Sequence, residues 1–233
     1  MKVILYNGDM NILLGLTLVI FCFIGVLCAY RFFGKSGVFA WIAIATILAN
    51  IQVTKTIEIF GITATLGNVL YGSIFLATDI LNEYYGKKVA NRSVFLGFGS
   101  SLVMIVTMQL AIQFIPAASD QATGALIAIF NPAIRIVGAS LVAYLVSQLL
   151  DVKIFQVIKN KWPSNKYLWL RNNGGTLISQ LVDTAIFVSI AFIGVYDTGT
   201  LIEIYLTTYV FKAIIALLDT PFIYLSKKIH PTE

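Results

Sequence analysis

Seven stretches of about twenty mostly apolar residues divide this chain, each the length a helix needs to cross a hydrocarbon core about 30 Å thick. They fall at approximately 11–31, 38–57, 65–84, 92–115, 133–155, 176–195 and 203–225. Inside a bilayer every backbone N–H and C=O must be paired within the protein, so segments of this kind fold as helices. The expected fold class is an all-α polytopic membrane protein, a helical bundle of about seven transmembrane helices in one domain over residues 1–233. Only 12% of the residues are charged, about half the usual share, and this leaves no material for a separate soluble domain.

Turn-forming clusters punctuate the pattern: Gly34-Lys35-Ser36-Gly37, Gly86-Lys87-Lys88, Asn131-Pro132, Trp162-Pro163-Ser164-Asn165 and Asn172-Asn173-Gly174-Gly175. The boundary between the second and third stretches is blurred by Lys55, Glu58 and Gly61; Lys55 and Glu58, three residues apart, read as a solvated pair. Pro221 predicts a kink in the last stretch. The first stretch is too long for the apolar part of a signal peptide, and Lys2 is offset by Asp9, so it reads as a retained helix.

Basic residues set the expected orientation. Arg31, Lys35, Lys87, Lys88, Arg92, Lys153, Lys159, Lys161, Lys166, Arg171, Lys227 and Lys228, twelve of the sixteen, follow or close alternate stretches. The intervening loops near 58–64, 116–132 and 196–202 carry no Lys or Arg. The positive-inside rule then puts the N-terminus outside and the C-terminus in the cytoplasm. Tyr84, Tyr85, Trp162, Tyr167 and Trp169 fall near the cytoplasmic boundary, where amphipathic rings settle.

Several function classes lack raw material. The net charge of +5 is spread over short loops, which argues against nucleic acid as a partner. Cys22 and Cys28 share the first stretch and the single His is His230, so neither a disulfide framework nor a metal site is expected. No nucleophile elbow, phosphate loop or zincin pattern occurs, so the chain reads as a non-enzyme without a cofactor. Membrane lipid is its expected neighbour.

Charges inside the apolar stretches carry the functional signal, because a carboxylate near the bilayer centre costs roughly 2.5–3.5 kcal/mol and must face a partner, a cavity or a pathway. Asp79 and Glu83 share one face of the third stretch, with Asn68, Thr78 and Asn82 nearby. Glu83 is close enough to the cytoplasmic end for a solvated, interfacial position. Asp183 and Lys212 both fall near the midplane. They form either a salt bridge that only fixes helix packing or part of a substrate site. Asp219 lies two turns beyond Lys212, roughly 10 Å along the helix. Arg135 opens the fifth stretch and can snorkel to the surface. Gln148 precedes Asp151, for which pairing with Lys153 or a loop base is the alternative to a site role. Ser179 and Gln180 would line whatever cavity Asp183 faces. Gly138, Ala139, Ser140 and Ala143 permit close helix approach.

Four segments carry a resemblance: IFLATDILNEYYG (Ile74–Gly86), RIVGASLVAYLVSQLLDVKIF (Arg135–Phe155), TLISQLVDTAIFVSIAF (Thr176–Phe192) and YVFKAIIALLDTPFIYL (Tyr209–Leu225). In order and spacing they resemble the queuosine precursor transporter family of vitamin-uptake transporters, over about residues 38–226. The resemblance implies an inner-membrane importer of 7-deazaguanine bases used to make a modified tRNA nucleoside. It further implies a core of six helices, related to the binding components of energy-coupling-factor transporters, with the helix at 11–31 outside that core. The alternative it leaves open is a substrate-binding subunit that needs a separate ATP-driven energising module, since this chain has no Walker motif.

Carried over by position, the motif acids are Asp79, Asp151 and Asp183, the basic positions Arg135 and Lys212, with Gln148 beside Asp151. A guanine-like edge offers adjacent N–H groups that one carboxylate accepts as a pair, and Asp183 is the first candidate for it, Asp79 the second. Arg, Lys or Gln would donate to the ring carbonyl. Phe75, Tyr71, Tyr144 and Phe187 are candidates to sandwich the flat ring. A charged aminomethyl arm on the base would want a further acid, Asp79 or Glu83.

Overall fold

One glycine folds the first helix back on itself. In the computed structural model, which describes residues 2–59, 62–131 and 134–232, α1 (Lys2–Gln52) is helical throughout except at Gly34, whose φ of 52° and ψ of −137° only glycine adopts without strain. The two limbs run antiparallel. Asn11 Nδ2 donates to the Glu58 carbonyl at 3.0 Å, and a Cβ on Gly37 would stand 2.1 Å from the Ala29 carbonyl oxygen. The loop expected at Gly34–Gly37 is thus a one-residue reversal, with Lys35, Ser36 and Gly37 already helical. Gly34→Ala should cost about 1–3 kcal/mol, the strain of holding a side chain in that backbone region. The measurement is thermal unfolding of the detergent-purified protein, with Gly15→Ala, whose Cβ would meet nothing within 4 Å, unchanged as control.

The second stretch does not run to residue 57. The chain leaves α1 at Gln52 and forms an antiparallel hairpin, β1 (Thr56–Ile59) with β2 (Ile62–Thr65), in which Thr56 faces Thr65 and Glu58 faces Thr63. β-branched residues dominate both strands and favour the extended backbone over another helical turn. Lys55 and Glu58 are therefore not neighbours on a helix face, and no ion pair joins them. Gly61, Pro132 and Ala133, which mark loops or span edges in the sequence, lie outside the described residues.

After the hairpin come α2 (Gly67–Tyr85), α3 (Lys87–Gln113), a short α4 (Thr123–Phe130) in the loop before α5 (Ile134–Lys161), then α6 (Leu168–Phe192), α7 (Thr198–Leu218) and α8 (Thr220–Ser226). Asp197 caps α7 by accepting from the Gly199 and Thr200 amides at 2.9 and 3.2 Å and from the Thr200 hydroxyl at 2.6 Å, which holds its carboxyl below the usual value. Pro221 breaks the last stretch as expected: α7 ends at Leu218, and the proline sits in the first turn of α8, where its missing N–H costs nothing.

Among the described residues, five helical segments are long and apolar enough to cross a membrane: Met10–Gln52, Lys87–Gln113, Arg135–Lys161, Asn165–Phe192 and Thr198–Ser226. The first holds both limbs of α1. The distribution of polarity is inverted relative to a soluble protein. Phe21, Val103, Leu110, Val210 and Ile214 are exposed, whereas Asp79, Gln148, Asp151, Arg171, Asn172 and Asp219 are fully buried. α2 is the polar axis: almost every side chain from Val69 to Asn82 is buried against α1, α3, α5 and α7, so it meets protein rather than lipid.

The largest correction concerns the start of α6. Asn172-Asn173-Gly174-Gly175 is not a loop but helix, and Arg171 is not a solvated loop base but fully buried. Helix α6 reaches two turns further than its apolar run because its first turns are covered by α2, α5 and α8, where polar side chains find partners.

Candidate functional site

Helices α5 and α6 lie antiparallel and in register, with two hydrogen bonds on consecutive turns. Ser147 Oγ donates to Asp183 Oδ1 at 3.0 Å, and Ser179 Oγ donates to Asp151 Oδ1 at 3.2 Å. Small side chains make this closeness available: Ala139 and Ala143 are buried along the same helix, and Gly175 backs onto Asp151, where a Cβ would come within 3.0 Å of Oδ1. From α7, Lys212 reaches across and pairs with Asp183 Oδ2. Both are buried, Asp183 at 4% and Lys212 at 8% exposure, so the pair sits in low dielectric and its charges depend on each other.

This pair forms the floor of a cleft of about 360 Å³ between α2, α5, α6 and α7 that runs from the hairpin end to mid-helix. Its aromatic walls are Tyr71, Phe187, Phe192 and Phe211; Asn68, Ser140, Thr207 and Thr208 add hydrogen-bonding groups. A volume in this range suits a small ligand, and a few convergent polar groups among aromatic faces can orient a flat heterocycle. A second groove of about 350 Å³, between the first limb of α1, the hairpin and α7, is lined by residues such as Ile12, Leu16, Val19, Leu206, Val210 and Ile214. Among the described residues its lining carries no charged side chain, so those residues offer no charge to position a polar ligand.

The predicted site residues separate into layers. Asp183, Lys212, Phe187 and Tyr71 line the cleft together. Tyr144 stands behind it, edge-on to Tyr71 with centroids 6.1 Å apart, its hydroxyl donating to the Val94 carbonyl at 3.4 Å. Phe75 is buried on α2 one turn from Tyr71, outside the lining. Arg135 is exposed and donates to the carbonyls of Ile190 and Ile193, closing the C-terminal end of α6 instead of entering the cleft.

Below the cleft floor lies a layer of acids. Asn82 Nδ2 donates to the Val152 carbonyl at 2.9 Å and so sets α2 against α5 here, which brings the fully buried Asp79, one turn before Asn82, next to Asp151. The equally buried Asp219 of the α7–α8 junction neighbours them, and Asn172 Nδ2 donates to Asp219 Oδ1 at 2.6 Å. Gln148, three residues before Asp151, is fully buried, and neither atom of its amide is paired among the described residues. The exposed Lys153 is no partner for Asp151, and the only ion pairs among the described residues lie elsewhere.

One turn further, Glu83 meets three cations. Arg171 grips it with two bonds, Nη2 to Oε1 at 2.7 Å and Nε to Oε2 at 3.1 Å; Lys159 lies 3.3 Å from Oε2, and Lys227 pairs with Oε1. The Glu83 side chain is 4% exposed, so the solvated, interfacial position is replaced by a buried lock joining α2, α5, α6 and the segment after α8. Sequence reasoning missed Ser147, Arg171 and Asn172. Ser147 was recoverable, since it stands four residues before Asp151 on the same face; Arg171 was hidden by the Asn-Asn-Gly-Gly run after it.

The chain is similar to several known proteins. A family described as "Putative vitamin uptake transporter" matches residues 65–226. A protein of Bacillus subtilis (strain 168) named "Probable queuosine precursor transporter" is 47% identical over 91% of this chain and 92% of its own length. The "Queuosine precursor transporter" of Escherichia coli (strain K12) is 32% identical over 72% of this chain and 75% of its own. A "Probable queuosine precursor transporter" of Haemophilus influenzae is 31% identical over 57% and 54% of the two chains. No solved structure matches the chain.

Proposed function

Because the chain belongs to the queuosine precursor transporter family and is a multi-pass membrane protein, we propose that it imports 7-deazaguanine bases across the cytoplasmic membrane by alternating access. The observation that carries this reading is the aromatic cleft ending on Asp183 and Lys212. In it Asp183 accepts the paired N–H groups of the guanine-like edge, Lys212 turns its ammonium to the ring carbonyl, and Tyr71, Phe187 and Phe211 cover the faces. The two charges pair with each other in the structure, and a base would exchange that ion pair for two sets of charge-assisted hydrogen bonds.

The five apolar segments with the two limbs of α1 counted separately make six crossings, and α2, enclosed by the other helices, makes the seventh. With the positive-inside rule these seven put the hairpin end outside and the basic end in the cytoplasm. The cleft then opens outward, and the Glu83 lock closes the cytoplasmic side. Asp79 and Glu83 lie outside the cleft lining, so the aminomethyl arm finds no spare acid there and the uncharged, nitrile-bearing base is the favoured cargo.

The test is expression of this chain alone in a strain that neither makes queuosine nor has its own transporter. Each base is supplied at nanomolar concentration and queuosine is scored in tRNA. Modified tRNA is expected, at lower external concentration for the nitrile-bearing base. A well-inserted protein that restores nothing, even when an energising ATPase module is co-expressed, would refute the assignment; restoration only with that module would make the chain a binding subunit.

A further inference from the structure

In the layer beneath the cleft, four buried carboxylate oxygens receive no donor among the described residues. Asp79, Asp151 and Asp219 are each fully buried, on three different elements. Asn172 donates to Asp219 Oδ1 and Ser179 to Asp151 Oδ1. Both oxygens of Asp79, Oδ2 of Asp151 and Oδ2 of Asp219 receive no donor among the described residues. Asn172, whose amide already points into the cluster, has its Oδ1 likewise unpaired, and it too is fully buried.

Among the described residues, the cations on either side of this layer are engaged elsewhere. Toward the cleft, Lys212 of α7 is paired with Asp183 of α6. Toward the basic end, Arg171 of α6, Lys159 of α5 and Lys227 beyond α8 are all held by Glu83 of α2. An ionised carboxylate only accepts hydrogen bonds, so two carboxyls in contact can satisfy each other only through a proton between them. Intramembrane acids arranged in this way are the physical basis of proton relays. A bound metal ion is a poorer fit, because no group of three acids among the described residues is arranged to hold one.

We propose that Asp79 and Asp151, backed by Asp219 and Asn172, form a proton-binding site that couples base import to the proton gradient. The coupling rests on the transport reading above, and its route is the α5–α6 contact. The Ser179–Asp151 bond is one turn below the Ser147–Asp183 bond on the same two helices. A shift of α5 against α6 when a base takes Asp183 therefore also moves Asp151 relative to Asp79. The proton enters the acid pair from the cleft side and leaves toward the basic end when the Glu83 lock opens; the same proton enters and departs, with no net chemistry on the protein.

Two measurements on the full chain in lipid test this. Infrared spectroscopy at neutral pH should show a protonated-carboxyl C=O stretch that disappears in Asp79→Asn and in Asp151→Asn and persists in Glu203→Gln, an exposed acid on α7. In proteoliposomes loaded with a pH-sensitive dye, adding the nitrile-bearing base outside should acidify the lumen. Absence of the stretch in the wild-type protein overturns the site whether or not the protein transports. Its loss when sodium replaces choline assigns the site to sodium and overturns the proton. Base uptake without acidification overturns the coupling and leaves the transport reading intact. The stretch without any base uptake keeps the proton site and removes the transport reading.

Discussion

Asp183→Asn is expected to abolish base uptake at nanomolar supply, and to lower the amount of folded protein as well. Two effects add. The substitution removes the carboxylate that accepts two adjacent N–H groups, and a hydrogen bond to a charged group is worth about 1.5–3 kcal/mol. At about 1.4 kcal/mol per factor of ten, losing the pair weakens binding by about a hundredfold or more. It also strands Lys212, which is 8% exposed and has Asp183 as its ion partner; removing one member of a buried pair costs about 3–5 kcal/mol. The double variant Asp183→Asn with Lys212→Met separates these effects. It should recover membrane abundance and thermal stability, since no charge is left unpaired, yet remain without uptake. A double variant that imports normally would show the pair to be packing alone, and the cleft would lose its assignment.

Glu83→Gln should be the most destabilising single change at the basic end. It leaves three cations, Arg171, Lys159 and Lys227, facing one another around a neutral amide. Arg171 keeps bonds to the carbonyls of Trp162, Pro163 and Ser164 at 3.3, 3.4 and 3.1 Å, so its hydrogen bonds are partly retained while its charge is not compensated. The expected loss is about 3–5 kcal/mol, read as a lower thermal midpoint in detergent. The three cations should differ among themselves. Arg171 has a side chain 1% exposed, and Arg171→Met should approach the effect of Glu83→Gln. Lys159 and Lys227 are 25% and 27% exposed, and replacing either with Met should cost about 1 kcal/mol or less, because water screens the pair. Equal effects for all three would mean that the lock is held by net charge rather than by the bidentate Arg171 geometry.

These two variants also mark how far the sequence could be read. Asp183 and Lys212 were legible because each lies deep in an apolar stretch, and depth along a helix follows from counting residues. Their partnership was one of two readings, since depth does not say which way a side chain points. For Glu83 the position was legible and the environment was not. It sits one residue before the Tyr84-Tyr85 boundary, which looks like an interface, and its main partner Arg171 lies in a segment whose Asn and Gly content looks like a loop. Turn propensity was overridden there because α2, α5 and α8 cover that stretch and satisfy its polar groups. The hairpin at Thr56–Thr65 was blurred for another reason: its β-branched residues are apolar enough to extend a helical hydropathy pattern.

What the sequence determined by itself was the solvent of this protein and the segmentation of its chain. Twenty-residue apolar runs leave a backbone no choice but helix in lipid. What only the tertiary structure decided was the sorting of the buried acids. Asp183 went to the cleft with Lys212, Asp79 and Asp151 to a layer without cations, and Glu83 to a lock with three. That sorting depends on which helix faces which and in what register, and the long-range contacts of α2, α5, α6 and α7 set it. Hydropathy, which is a property of single positions, carries no record of them.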